Sequence, residues 1–171
     1  MRGYLAAVLT LLCLLFFMPG LSEAALSGSG AFVLIQKVAP GTELADASTF
    51  LGTYASEEAA EGAGMKIRRW GDEDDDWMLD VLHDGSVVRA TRIIWNTDTK
   101  REQQTIFSQL TTAGKKYFSR TAKFQGLDQA EWVEMDGKLL VRARIEPELS
   151  DGVTLLTGIR NDAMESGKYG F

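Results

Sequence analysis

Cysteine is almost absent from this chain: Cys13 is the only one among 171 residues, and it lies inside an N-terminal apolar run. If that run is removed, what remains has no disulfide, thiol nucleophile or thiolate metal site. Histidine is equally scarce, with His83 alone. One imidazole cannot build a catalytic zinc site, which takes at least two histidines or thiolates, and no Gly-x-Ser-x-Gly elbow offers it a serine nucleophile. Long apolar segments are missing after residue 24, so no membrane span is expected there. Basic charge is in deficit, with 18 Lys and Arg against 24 Asp and Glu and a net charge of −6. Such a surface repels phosphate backbones and argues against nucleic-acid binding.

The first two dozen residues are the most specific feature present. Arg2 supplies a positive start, Leu5 to Met18 form a nearly unbroken apolar run, and Pro19-Gly20 break it ahead of Ser22-Glu23-Ala24. That is the order of a secretory signal peptide, with small residues three and one positions before a cut after Ala24. The apolar run falls short of the roughly 18 residues that span a bilayer. Leu12 stands before Cys13 where lipid-modified precursors carry a small residue, so a soluble rather than a lipid-anchored product is expected. Residues 25–171 then form one exported domain, periplasmic or secreted, large enough to bury its own core. Loss of Arg2 and Glu23 together leaves 17 basic and 23 acidic side chains, so the charge stays at −6.

Periodicity divides this domain into helical and extended stretches. Phe32-Val33-Leu34-Ile35 reads as a short strand or packed arm ending at Pro40-Gly41. Thr42 can cap a helix carrying Leu44, Ala47 and Leu51, with Ser56 and Glu57-Glu58 able to restart it after Gly52. From Met65 the period becomes two. Trp77 to Leu82 and Val87 to Trp95 flank Asp84-Gly85, a pair that tolerates the positive φ of a two-residue hairpin turn. Asn96, Asp98 or Thr99 can cap a second helix with Ile106, Phe107, Leu110 and Ala113 on one face, ending near Gly114. Glu131 to Met135 and Lys138 to Ile145 flank Asp136-Gly137, and Val153 to Ile159 follows Asp151-Gly152. The fold class is α+β, an antiparallel β-sheet with helices packed on one face.

The hairpins at Asp84-Gly85 and Asp136-Gly137, 52 residues apart, share an apolar pair after the turn and an Arg-Ile ending, Arg92-Ile93 and Arg144-Ile145. This suggests two related helix-plus-hairpin units, a pseudo-repeat over 41–95 and 96–160. Unrelated amphipathic hairpins share the same features, because β-branched residues and alternating arginines suit any such strand.

The order of helix, glycine, Trp-containing strand and Asp-Gly hairpin resembles the domain of the β-lactamase inhibitor proteins and of the SmpA-type outer-membrane assembly lipoproteins. The residues that carry the resemblance are Pro40-Gly41-Thr42, Leu51-Gly52 and Leu79 through Ile94. It implies a helical pair on an antiparallel sheet, carried twice in the inhibitors, and a binding role. The chain lacks the lipid-bearing cysteine of the lipoproteins and the paired cysteines of the inhibitors, so no functional residue is carried over.

Candidate site residues are few. Asp72, Asp74 and Asp76 have the alternate spacing of a calcium loop, but Trp77 stands where the loop needs glycine and His83 where it needs a bidentate Glu. The acidic run reads more simply as a solvated turn. The pairs Glu131 with Glu134 and Glu146 with Glu148 are the available carboxylates for a small hydrolase. Trp70, Trp77, Trp95 and Trp132 fall on strands and should mostly pack in the core. If Trp77 and Trp132 instead face solvent beside Arg89, Arg92, Arg142 and Arg144, they form the aromatic and arginine mixture of protein interfaces. The sequence therefore points to a non-enzymatic envelope domain, with no cofactor, that binds another envelope protein or a small ligand. The alternatives are an Asp/Glu hydrolase and a weak divalent-cation module.

Overall fold

The computed structural model describes residues 26–61, 64–71, 74–119, 122, 124–134, 139–145 and 152–159. Among the described residues three helices lie on one face of an eight-stranded antiparallel sheet, as the α+β expectation required. In chain order the elements are α1 (Gly28–Lys37), α2 (Leu44–Leu51), β1 (Ser56–Ala59), β2 (Lys66–Trp70), β3 (Trp77–His83) and β4 (Val88–Trp95). Then come α3 (Lys100–Tyr117), β5 (Phe124–Gln125), β6 (Gln129–Glu134), β7 (Leu139–Ile145) and β8 (Val153–Ile159).

The segment around Phe32 to Ile35 is helical, not a strand or arm. Ser27 accepts a hydrogen bond from the Gly30 amide at 3.1 Å and caps α1, whose buried positions Gly28, Ala31, Phe32 and Ile35 recur at steps of three and four. That spacing presents one stripe to the core. Helix α2 begins at Leu44 and stops at Gly52; Ser56 to Ala59, expected to restart the helix, form edge strand β1 instead. The reason is cross-strand pairing, since Glu57 lies opposite Arg68 and takes its guanidinium in two hydrogen bonds. Of the three candidate caps for α3, Thr99 is the one used, in a capping box with Glu102. The helix runs through Gly114 to Tyr117. Gly114 is a mid-helix residue because the Trp132 indole occupies the space of a side chain there: a Cβ would sit 2.6 Å from Trp132 Cη2.

Strands β3 and β4 pair as expected, but around a four-residue loop, Asp84 to Val87, with a register shift between Leu82 and His83. The Asp84 carboxylate accepts from the amides of Ser86 and Val87 at 3.0 and 2.9 Å, which turns the chain over a wider loop than a two-residue turn. Gly85 has φ +95. Gly85→Val is expected to destabilise the domain by about 1 kcal/mol or more, because a β-branched residue is strained at positive φ. A melting temperature equal to that of the wild type would contradict this. The Asp136-Gly137 turn lies outside the described residues.

Strand order is β1-β2-β3-β4-β8-β7-β6-β5, two four-stranded meanders joined through β4 and β8. The meander that follows α3 has the same strand connectivity as the one that follows α1 and α2. The equivalence differs from the one the turns suggested: hairpin β3–β4 corresponds to β7–β8, not to β6–β7. A shift of 62 residues carries the pairing Ile67↔Leu82 onto Gln129↔Arg144, and Trp70↔Leu79 onto Trp132↔Val141. The Arg-Ile likeness at 52 residues compares strands that are not equivalent and reflects the amphipathic pattern they share.

One face of the sheet supports the helices. Phe32, Ala47 and Leu110 meet Leu79, Ile93 and Leu155 in a single core, to which α1 and α3 contribute as a packed pair. Burying each of these large aliphatic or aromatic groups is worth about 1.5–3 kcal/mol. Side chains alternate across strands, so the intervening residues lie on the face opposite the helices. No described helix is long and apolar enough to cross a membrane.

Candidate functional site

The face opposite the helices carries a line of charge. Through successive pairings Arg69↔Asp80, Asp80↔Arg92, Arg92↔Leu156, Leu156↔Arg142 and Arg142↔Glu131, one row crosses six strands from β2 to β6. Residues directly opposite one another share a face, so these six side chains are lateral neighbours. At one end, Arg69 donates to Asp80 from Nε at 2.7 Å and from Nη2 at 3.0 Å, and Arg92 donates from Nη2 at 2.8 Å. Asp80 has no exposure, while the Arg69 and Arg92 side chains are 26% and 19% exposed. A buried carboxylate is thus clamped by two guanidiniums that reach solvent.

At the other end Arg142 donates from Nε to Glu131 at 2.9 Å, and Gln129 donates to the same oxygen at 2.8 Å. The 62-residue shift that equates the two halves carries Arg69 onto Glu131 and Asp80 onto Arg142. The two ion pairs occupy equivalent positions with their charges exchanged. Arg92 and Leu156 meet at the join between the halves, with an arginine on each side of the leucine.

Rows on either side are mainly apolar. Ile67, Leu82, Ala90 and Leu156 form a small buried cluster on this face, and Met78 is buried beside Asp80. Arg144 follows Arg142 by two residues on the same side, opposite Gln129 and Thr154. The face from β2 to β6 therefore holds four arginines, Arg69, Arg92, Arg142 and Arg144, against Asp80 and Glu131, with Glu58 on edge strand β1. In a chain of net charge −6 this is a local concentration of cations.

Three of the four arginines singled out by pattern, Arg92, Arg142 and Arg144, share this face. Arg89 does not join them; it is exposed beside the β3–β4 loop and paired with the Asp84 carboxylate. The tryptophans lie on the other side. Trp132 is 1% exposed in the helix-facing core, and Trp77 packs against that core, so neither stands beside the arginines. The large size and apolar character of the indole ring drive this burial. Asp74 and Asp76 are exposed in the β2–β3 turn, whose backbone carbonyls at Asp75 and Asp76 accept from Asn96; Asp72 lies outside the described residues. Among the described residues no group of three His, Cys, Asp or Glu side chains could hold a metal ion.

A second polar cluster lies at the edge of the helix-facing side. Glu57 accepts from Lys66 Nζ and from Arg68 Nε at 2.9 Å each, and from Arg68 Nη2 at 2.7 Å. Those hydrogen bonds, Lys66 first, hold its carboxyl down to about 2. Arg68 also donates from Nη1 to Ser48 of α2 at 2.9 Å and lies 4.3 Å above the Tyr54 ring. His83, 1% exposed, completes the group with Nε2 at 3.4 Å from Glu57 Oε2.

Sequence reading missed Arg69 and Asp80 as site residues, and it considered Glu131 only as half of a catalytic pair. Alternation alone places Arg69 and Asp80 on the outward face, but their contact exists only once the β2–β3 register is known. The chain matches no family model, no curated protein and no solved structure.

Proposed function

We propose that this is an exported, non-enzymatic interaction domain of the bacterial envelope, which recognises an acidic partner protein through the sheet face opposite α1, α2 and α3. The arginine row carries the reading. Arg69, Arg92 and Arg142 keep partly exposed planar donor forks beside the buried Met78, Leu82 and Leu156, and arginine is among the residues that dominate interface energetics. The cationic surplus of this face within an acidic protein favours carboxylates on the partner. The signal-like N-terminus, which lies outside the described residues, supports export. The likeness to inhibitor and assembly-lipoprotein domains adds weight by analogy only.

A hydrolase needs two carboxylates within about 5–10 Å of one another. Asp80 and Glu131, the carboxylates of the charged row, are four strand spacings apart, about 19 Å at 4.8 Å per strand. That separation favours binding over catalysis at this face.

The test is capture from envelope extract by the tagged domain, comparing wild type with Arg142→Ser/Arg144→Ser. These substitutions leave the Arg69–Asp80–Arg92 clamp in place, and Glu131 keeps its Gln129 donor. The expected result is an acidic partner held by wild type, released by added salt, and lost by the variant at an unchanged melting temperature. Equal capture by both proteins would overturn the assignment of this face.

A further inference from the structure

His83 is the only histidine of the chain and is not part of the arginine row. Its Nδ1 accepts a hydrogen bond from the Gly85 amide at 3.1 Å, so the ring's own proton sits on Nε2. That nitrogen is buried without a hydrogen-bond partner and faces Glu57 Oε2 at 3.4 Å. The charged groups around it are Glu57 on β1, Lys66 and Arg68 on β2, and Asp84 and Arg89 on the loop and strand that follow it.

The loop that His83 braces is a docking platform for α2. Leu44 N–H donates to Ser86 O at 2.8 Å, Val88 N–H to Thr42 O at 2.9 Å, and Gly41 N–H to Val88 O at 2.9 Å. Glu43 and Val87 form a β-bridge beside these bonds. The middle of α2 is held separately through Ser48, which accepts from Arg68, itself bound to Glu57. One attachment of α2 therefore ends on the loop whose Gly85 amide binds the His83 ring, and the other leads through Arg68 to Glu57, which faces the same ring.

We propose that His83 is an acid-sensitive latch for α2. A proton added at Nδ1 leaves two N–H groups facing each other, so the Gly85 bond is lost. The imidazolium is drawn toward Glu57, where it competes with Arg68 for Oε2. The β3–β4 loop loosens, and with it the start of α2.

Burial pushes the imidazole below its ordinary value, and the Arg68 guanidinium lowers it further. The unfolded chain then takes up the proton more readily than the folded one. The stability contributed by neutral His83 is complete above the ordinary imidazole value and is lost as the pH falls through the folded one.

Because one histidine gives one ring resonance, NMR on the untagged protein follows this titration directly. Amide protection factors of Gly85, Leu44 and Val88 are measured alongside it from about pH 7.5 to about pH 4.5. We expect protection at these three amides to fall by about tenfold or more at the midpoint of the His83 titration, while Val141 and Ala143 in β7 keep theirs. In His83→Gln, whose amide oxygen can still accept from Gly85 without titrating, the fall should vanish. Protection that is unchanged as His83 protonates, or that falls equally in His83→Gln, would overturn the latch. The wild-type titration decides the matter even where the variant does not fold.

Discussion

Trp132→Ala is expected to cost about 3–5 kcal/mol, the range for removing a large buried aromatic, and to lower Tm by the order of 10 °C. The ring joins the two helices of the packed pair to the sheet. It meets Phe32 of α1 edge-on at 5.9 Å between centroids and stacks on Phe118, at the end of α3, at 5.7 Å. It also fills the notch at Gly114, where no side chain fits while the ring is present. This makes a sharper prediction than a single loss of stability. In the wild-type background Gly114→Ala should destabilise by about 1–3 kcal/mol, because the added methyl overlaps the indole. In the Trp132→Ala background the same substitution should be neutral or stabilising, since the methyl enters vacated space and alanine is the better helix former by about 1 kcal/mol. Chemical denaturation of the four proteins in a double-mutant cycle measures the coupling. Additive effects would show that the contact is not what excludes a side chain at position 114.

Gly114 also marks where sequence reading reached its limit. A glycine followed by Lys115-Lys116 has the local chemistry of a helix end, and only the position of a ring on β6 makes it a helix interior. Strands β2 to β4 and β6 to β8 were legible because alternation is a local signal, and the start of α3 was narrowed to Asn96, Asp98 or Thr99, of which Thr99 is the one used. Helix α1 was not legible. Phe32 to Ile35 are consecutive apolar residues without visible period, and the helical spacing emerges only with Gly28, Ala31 and Val38 included. Strand β1 was misjudged for the opposite reason. Its Ser56-Glu57-Glu58 start is good helix-capping chemistry, yet the partners Lys66 and Arg68 lie nine and eleven residues later and claim Glu57 for a strand. Of the arginine face, Arg92, Arg142 and Arg144 follow from alternation. The clamp on Asp80 does not, because it depends on which residue of β2 lies opposite which residue of β3.

That clamp yields the second large effect. Arg69→Ala/Arg92→Ala leaves the Asp80 carboxylate buried without either guanidinium, and is expected to cost about 3–5 kcal/mol. Two causes contribute: a stranded charge, and the loss of long arginine stems from the face. Asp80→Leu added to the double variant separates them, because it removes the charge and supplies an apolar side chain between buried Met78 and Leu82. If the stranded charge dominates, the triple variant should recover most of the lost stability, since replacing a buried ionic group by apolar residues is often neutral or better. Recovery of less than about 1 kcal/mol in urea denaturation would assign the cost to packing instead. A folded triple variant also bears on function. If apolar residues serve the fold as well as Arg69, Asp80 and Arg92 do, stability does not account for the charged row, and recognition is the role left for it. The stable triple variant should then capture less of the acidic partner than wild type does. Undiminished capture would confine recognition to the Arg142 and Arg144 end of the row.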